Sequence, residues 1–490
     1  MSLIADIQSA LPANAPAWLE ELSAALGETH LSTAFVDRLA YARDRTPLAT
    51  FNMRAGRSLG DFPVAVATPG TEAQVAQVLS LANTHGFVVI PYGAGSGVVA
   101  GAIPVADTVM LDLKRLNRLV ALDEINGLAT VQAGMNGARF EELLNERGWT
   151  CGHYPQSIRM STVGGWIACR GAGQASSRYG KIEDMVVGLR SVMPDGELVE
   201  VRPLPRRAVG PGLRDLFVGA EGTLGVITEV TLRIWRQPEV RRPVILAFPD
   251  LQAAWDSLRE MMQGELRPEV ARLYDETESR ERTMGGAPFD TKPILCILMF
   301  SGKAALAEVE ERLGLEICAA HGAEVSTDLA PYEQWQKNRF VSYSPRYQAQ
   351  CYFMDTIEIT GRWSALPDLY ARIGAAIREL HPDVFFGTHW SHVYPEGACQ
   401  YMTIRLPVLD EAEGLRLHRD VWARAQSLCL ELGGSISHHH GAGQLRNPWM
   451  EGELGRGHAV LQKIKDALDP NNVSNPGKLA LRLREAADRG

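Results

Sequence analysis

A two-domain chain of mixed helices and strands is what the sequence predicts, on three observations. Its 490 residues exceed what one ordinary hydrophobic core serves. Helical and strand-like periodicities alternate from Thr71 onward and are punctuated by three glycine clusters between Gly93 and Trp235. Past Pro238 the texture changes to longer helical stretches alternating with strands, which places a second domain over 239–430.

Residues 1–60 read as a polar helical segment, broken at Pro12, Pro16 and Pro47, in front of a ligand-binding domain over 61–238. T-E-A-Q from Thr71 is a capping box, Val75, Val78, Leu79 and Ala82 follow at helical spacing, and Gly86 stops the helix. F-V-V-I-P is then a short apolar, β-branched run that reads as a buried strand leading into Y-G-A-G-S-G-V. Further strands are expected at Thr108 to Leu113 and Ala129 to Ala133, and a helix near Gly137 to Arg147. In the second domain Pro293 to Phe300 and Tyr352 to Ile359 read as strands. A C-terminal segment over 431–490 returns to glycine-rich chemistry, with a helix carrying Val460, Ile464 and Leu468 that ends at D-P-N-N.

Composition narrows the function class. Apolar residues are 46% and charged residues 22% of the chain, ordinary globular usage. A net charge of -9 without a Lys/Arg run leaves no nucleic-acid footprint, so an anionic small-molecule substrate would need a local basic pocket. The seven cysteines are scattered without a C-x-x-C pair, which reads as buried thiols of a reducing compartment. No segment has the charge and apolar pattern of a signal peptide or transmembrane helix, and the final A-D-R-G is no peroxisomal address. A cytoplasmic protein is expected, and a homodimer is compatible with the sequence.

The first glycine cluster, Gly93-Ala94-Gly95-Ser96-Gly97, permits positive φ, so successive N–H groups can converge on an anion such as a pyrophosphate. The G-x-G-x-G spacing, followed by Gly101 and Pro104 in place of an opening helix, excludes a Rossmann fingerprint, and no Gly-Lys-Ser/Thr marks a P-loop. The second cluster sets the Ser161 and Thr162 hydroxyls beside Gly164 and Gly165, and the third sets Glu221 among glycines. Taken singly, each is as readily a close-packed turn as a binding loop. In the C-terminal segment His438, His439 and His440 run together, and in a strand the outer two would share one face. Such a run fits proton transfer, a metal site or packed histidines.

In order and spacing, P-Y-G-A-G-S-G, Q-S-I-R-M-S-T-V-G-G-W and A-E-G-T-L-G-V-I-T resemble the vanillyl-alcohol-oxidase and p-cresol-methylhydroxylase flavoprotein family. The resemblance implies an α+β fold: a two-subdomain FAD-binding domain with an α/β cap domain over the flavin. It implies cofactor contacts from Pro91, Gly93, Ala94, Gly95, Ser96, Gly97, Gln156, Ser157, Ser161, Thr162, Gly164, Gly165, Cys169, Glu221, Gly222, Thr223 and Ile227. Family members that tether the flavin use a His or Cys in these loops. The turn here has neither and Pro155-Gln156-Ser157 has no Cys, so noncovalent FAD is expected.

Y-G-K-I-E-D-M-V-V, R-P-E-V-A-R-L, Y-P-E-G-A-C-Q-Y and G-G-S-I-S-H-H-H-G-A-G-Q-L-R are similar to the alkylglycerone-phosphate synthase branch of that family. By position this branch implies Tyr401 and His438, His439 and His440 as catalytic groups, and Arg272 and Arg346 as substrate-binding groups. Arginine supplies the forked donors that a phosphate or carboxylate needs. His389 and His392 are expected to line the same pocket. Their H-x-x-H lacks the Asp and Asn of the longer metal-binding element in hydroxy-acid dehydrogenases of this fold, so no metal is expected. Two reactions follow. The one expected is exchange of acyl for alkyl on acyl-dihydroxyacetone phosphate through a flavin adduct. The other is dehydrogenation or oxidation of a hydroxy acid or alcohol, with histidine as base. Fold alone does not choose between them.

Overall fold

A computed structural model of the protein describes residues 16–54, 56–283, 292–341, 352–407 and 411–483. Three main sheets organise it. The first orders Leu31–Ser32, Ala65–Ala67, Thr108–Asp112 and Val88–Tyr92, the last three parallel. The second is an antiparallel sheet of five strands, of which Val226–Arg233 is the centre. The third, over the second domain, has seven strands in the order 324–326, 240–248, 294–302, 270–274, 385–393, 397–407 and 352–362, all antiparallel.

The capped helix forms as its sequence dictates. It spans Glu72–His85, the Thr71 side chain accepts from the Gln74 N–H, and Gly86 closes it at φ 75°. Val75, Val78, Leu79 and Ala82 are all buried. The expected strands form at Val88–Tyr92, Thr108–Asp112, Leu128–Gln132, Ile294–Gly302 and Tyr352–Arg362, and the helix at Gly137–Asn145. No helix opens after the first glycine turn. Among the described residues no helix is long and apolar enough to cross a membrane, and six of the cysteines are free thiols.

One expectation is overturned, and another holds with a different packing. The histidine run is not a strand: residues 438–440 are bends, so alternation does not decide which ring faces where. The helix Arg456–Leu468 exists, but Val460 is exposed and the buried positions are His458 and Lys465. The Lys465 ammonium donates to the Thr223 and Ser474 carbonyls at 2.8 and 2.6 Å and meets Asp469 at 2.5 Å. The helix found from its apolar spacing thus docks through a satisfied lysine as well as through Leu461 and Leu468.

The seven-stranded sheet positions the chemistry because its two faces differ. On one face Phe353, Ile357, Ile359, Phe386, Trp390, Met402, Ile404 and Leu406 join the largest apolar core, against the helices Leu251–Gln263, Leu366–Arg378 and Glu411–Glu431. The opposite face carries Arg272, His389, Tyr401, Thr403 and Arg405 toward a cavity. The N-terminal segment reaches the same cavity: Asp44, Arg45 and Thr50 line it, and Phe51, on the helix Pro47–Arg54, stacks on Phe353.

Candidate active site

The three glycine clusters converge because their backbones pack where side chains would not fit. A Cβ on Gly93 would lie 2.3 Å from Thr162 Oγ1, one on Gly164 2.6 Å from Ala133 Cβ, and one on Gly222 2.8 Å from Pro91 Cγ. Cluster one therefore touches both of the others. Together they wall one side of a cavity of about 790 Å³. Pro91 to Gly97, Gln156, Ser157, Ser161, Thr162, Gly164, Gly165, Cys169, Glu221, Gly222 and Ile227 all line it. Thr223 does not: it is fully buried and donates to the Ala220 carbonyl.

Gly95 has φ 58°, and a Cβ there would fall 2.0 Å from Tyr92 Oη. Gly95→Ala meets both a left-handed backbone and a clash, so the turn must shift. The expected result is FAD affinity lower by about tenfold, corresponding to about 1.4 kcal/mol, read by fluorescence titration of the apoprotein with FAD.

Glu221 sits at φ 50° and accepts the N–H groups of Ala442 and Gly443 at 2.6 and 2.9 Å. Burial raises its carboxyl, opposed by those two donors and by Arg446 and Lys478. Its side chain thus ties the third cluster to the loop that carries the histidines. Beside it Asp44, also buried, is pushed up to about 6 by burial. Nothing in the apolar periodicity marks Asp44 or Arg45 as site residues; the charge alternation R-D-R from Arg43 was the available signal.

Across the cavity one row of the seven-stranded sheet sets Tyr274, His389, Tyr401 and Glu358 side by side, each opposite the next in register. His389 stacks on Tyr401 at 4.7 Å between ring centroids. Its Nδ1 lies 3.3 Å from Glu278, which also accepts from the Thr403 hydroxyl at 2.8 Å. Burial pushes His389 down to about 4 and raises the Tyr401 phenol. At neutral pH the pair is an uncharged imidazole against a protonated phenol.

Glu358, fully buried and without a local sequence signature, organises the histidine loop. It accepts the backbone N–H groups of His438, His439 (3.3 Å) and His440 (2.9 Å), and meets the fully buried Arg446 at 3.0 Å. Burial alone would raise this carboxyl; Arg446, His440 and the N–H donors bring it below the ordinary carboxylate range. Arg446 also donates to the Ile436 and Gly441 carbonyls at 2.7 and 2.6 Å. The resulting bend turns His439 and His440 to the cavity and His438 toward Tyr394. His392, placed by an irregularity between Trp390 and Val393, also lines the cavity and stacks on His438 at 4.9 Å. Burial drives His392, His438 and His439 well below the usual histidine value, so all three are neutral at pH 7.

Five arginines line the cavity: Arg45 from the N-terminal segment, and Arg272, Arg282, Arg339 and Arg405. Arg282 pairs with Glu278 at 3.3 Å and Arg405 with Glu281 at 2.5 Å. Arg272 and Arg339 have no carboxylate within ion-pair distance among the described residues. Arg272 donates to Tyr274 Oη at 2.9 Å and Arg339 to Gln174 at 3.0 Å. Of these, only Arg272 was anticipated. Arg346 lies outside the described residues.

Among the described residues two groups of side chains have the spacing of a metal centre, His392, His438 and His439, and Glu358, Cys399 and His439, each with ligand atoms within 4.8 Å. In the first, the Nδ1 atoms of His438 and His439 already face each other at 2.8 Å and His438 Nε2 meets Tyr394 Oη at 3.0 Å. Both nitrogens of His438 are thus taken by hydrogen bonds.

Comparison with known proteins agrees with this geometry. Residues 63–202 match the family described as FAD binding domain, and residues 237–479 that described as FAD linked oxidases, C-terminal domain. An uncharacterised FAD-linked oxidoreductase of Escherichia coli K12 is 33% identical over 85% of this chain and 89% of its own length. An alkyldihydroxyacetonephosphate synthase of Trypanosoma brucei brucei is 29% identical over 94% of this chain and 80% of its own. A D-2-hydroxyglutarate dehydrogenase of Xanthomonas citri is 26% identical over 94% and 96%. In fold the chain is similar to substrate-bound p-cresol methylhydroxylase, with a TM-score of 0.75 at 16% identity over 97% of this chain and 99% of that one. FAD is the cofactor, and the glycine-cluster residues that line the cavity are those that would hold it. The chain belongs to the FAD-linked oxidoreductases.

Proposed function

We propose that the protein oxidises a small anionic substrate bearing a hydroxyl group, of the hydroxy-acid class. The observation that carries this reading is the pair Arg272 and Arg339, two cavity-lining guanidinium groups with no carboxylate within ion-pair distance among the described residues, Arg272 standing on the strand beside the one that carries His389. A carboxylate or phosphate supplies the missing acceptor bidentately. Bound FAD supplies the acceptor for the two electrons removed from carbon. The protein's own groups bind the anion, hold the substrate hydroxyl among neutral imidazoles that can take its proton, and present the Tyr401 phenol as a donor.

The second reading, exchange of acyl for alkyl on a dihydroxyacetone phosphate ester, is favoured by the synthase relative's near full-length match and by the set Tyr401, Arg272 and His438 to His440. The cavity lining holds apolar groups such as Phe51, Met160, Trp335 and Met354 beside the polar Glu278, Thr403 and Arg405.

Anaerobic mixing decides. With D-2-hydroxyglutarate, D-lactate, glycolate and glycerol 3-phosphate, lasting bleaching of the flavin by at least one is expected. No bleaching by any, together with release of fatty acid from acyl-dihydroxyacetone phosphate in the presence of a fatty alcohol, would establish the second reading instead.

Noncovalent binding of FAD is part of the proposal. Cys169 lines the cavity, but burial and the neighbouring Glu221 raise its thiol, which leaves it a poor nucleophile. Acid precipitation should leave a colourless pellet and all the flavin in the supernatant.

A further inference from the structure

His392 and His439 are joined by a chain of polar groups that the reading above leaves unused. His392 Nδ1 lies 2.7 Å from Ser176 Oγ, and Ser176 Oγ lies 3.2 Å from Tyr394 Oη. Tyr394 Oη lies 3.0 Å from His438 Nε2, and His438 Nδ1 lies 2.8 Å from His439 Nδ1. Each intermediate group has one transferable proton and a lone pair to receive another. Both terminal rings line the cavity, 5.0 Å apart between centroids, and each is engaged through Nδ1, which leaves Nε2 for a bound molecule.

The proton count of neutral groups allows two arrangements. In the first, His439 Nδ1–H donates to His438 Nδ1, His438 Nε2–H to Tyr394, Tyr394 O–H to Ser176, and Ser176 O–H to His392 Nδ1. His439 Nε2 is then a bare base and His392 Nε2 carries a proton. In the second every bond is reversed: His392 Nδ1–H donates to Ser176, Ser176 to Tyr394, Tyr394 to His438 Nε2, and His438 Nδ1–H to His439 Nδ1. His392 Nε2 is now bare and His439 Nε2 protonated. One concerted shift interconverts them. A proton accepted at His439 Nε2 is matched by one released at His392 Nε2, and no ring becomes charged.

We propose that Ser176 and Tyr394 form the middle of a proton relay that makes His392 and His439 a single acid–base unit. This deepens the reading of the site as a place of proton transfer and rests on it. Burial, which keeps the three imidazoles neutral, favours a relay over free cations. Lys181 holds the loop in place through the His438 carbonyl at 2.6 Å.

The test needs no substrate. Nitrogen NMR of the FAD holoenzyme with isotope-labelled histidine reads the Nδ1-protonated fraction of each ring. In the wild type the fractions of His392 and His439 are expected to sum to one and to move by equal and opposite amounts with temperature, while His438 follows His392. In Tyr394→Phe and in Ser176→Ala, each retaining FAD, that complementarity is expected to vanish. Independent fractions in the wild type, or complementarity that survives Tyr394→Phe, would overturn the relay. So would stoichiometric binding of added zinc chloride that shifts all three rings, which would identify a metal centre. None of these outcomes depends on which substrate the flavin oxidises, so failure of the relay and failure of the substrate assignment are separable.

Discussion

Tyr401→Phe is expected to retain FAD and lose turnover, by about 10²- to 10⁴-fold, the range for removing a positioned proton donor. The substitution deletes one oxygen on the cavity face of the strand Gly397–Pro407 and nothing on its core face, where Met402 and Ile404 are fully buried. Stacking on His389 at 4.7 Å and on His439 at 6.0 Å needs the ring and not the hydroxyl, so a phenylalanine keeps both. Thermal stability should fall by about 1 kcal/mol, because the hydroxyl's hydrogen bond to Thr356 is lost. The measurement is kcat on whichever hydroxy acid bleaches the flavin, beside the flavin content of the purified variant. Unchanged activity would remove Tyr401 from the chemistry. A parallel loss of FAD would reassign it to cofactor binding.

Arg272→Gln, which removes a forked donor from the anion wall, is expected to raise KM in the same assay more than it lowers kcat. Glycine clusters are legible because the requirement they meet is local: a positive φ or a close backbone approach restricts the residue type at that position. The turn at Gly95 and the contact of Gly93 with Thr162 are of this kind. Tyr401, Arg272 and the histidine run carried no such local signature and were legible only through resemblance. The missed residues are missing for a shared reason. Glu358, on a strand between Ile357 and Ile359, looks like one polar position of an alternating pattern, and only the fold discloses that the polar face is a buried cavity wall. Arg339 reaches the site from a segment far from Gln174 in sequence, through its contact with that residue. Pairings across such separations are tertiary facts that periodicity does not encode.

Loss of the buried pair between Glu358 and Arg446 should have the largest effect on stability. Arg446→Met leaves a carboxylate with no exposed surface and without its cation, a change that typically costs about 3–5 kcal/mol. Three backbone N–H groups still solvate Glu358 after the substitution, which places the expected loss toward the lower end. Glu358→Gln is the sharper probe of function. It keeps one acceptor oxygen but cannot hold the N–H groups of His438 and His440 and Arg446 at once, so the bend that turns His439 and His440 to the cavity relaxes. Turnover should fall with FAD still bound, which separates this from the outright unfolding expected of Arg446→Met at elevated temperature. The pH dependence has a definite sign. The folded Glu358 carboxyl lies below its ordinary value, so its contribution is complete above the unfolded value of about 4.3 and is lost as pH falls through the folded one. The stability difference between wild type and Glu358→Gln should therefore be flat above about pH 5 and shrink below about pH 4. Urea unfolding at several pH values measures it. A difference that instead grows toward low pH would mean that the pair does not hold the loop.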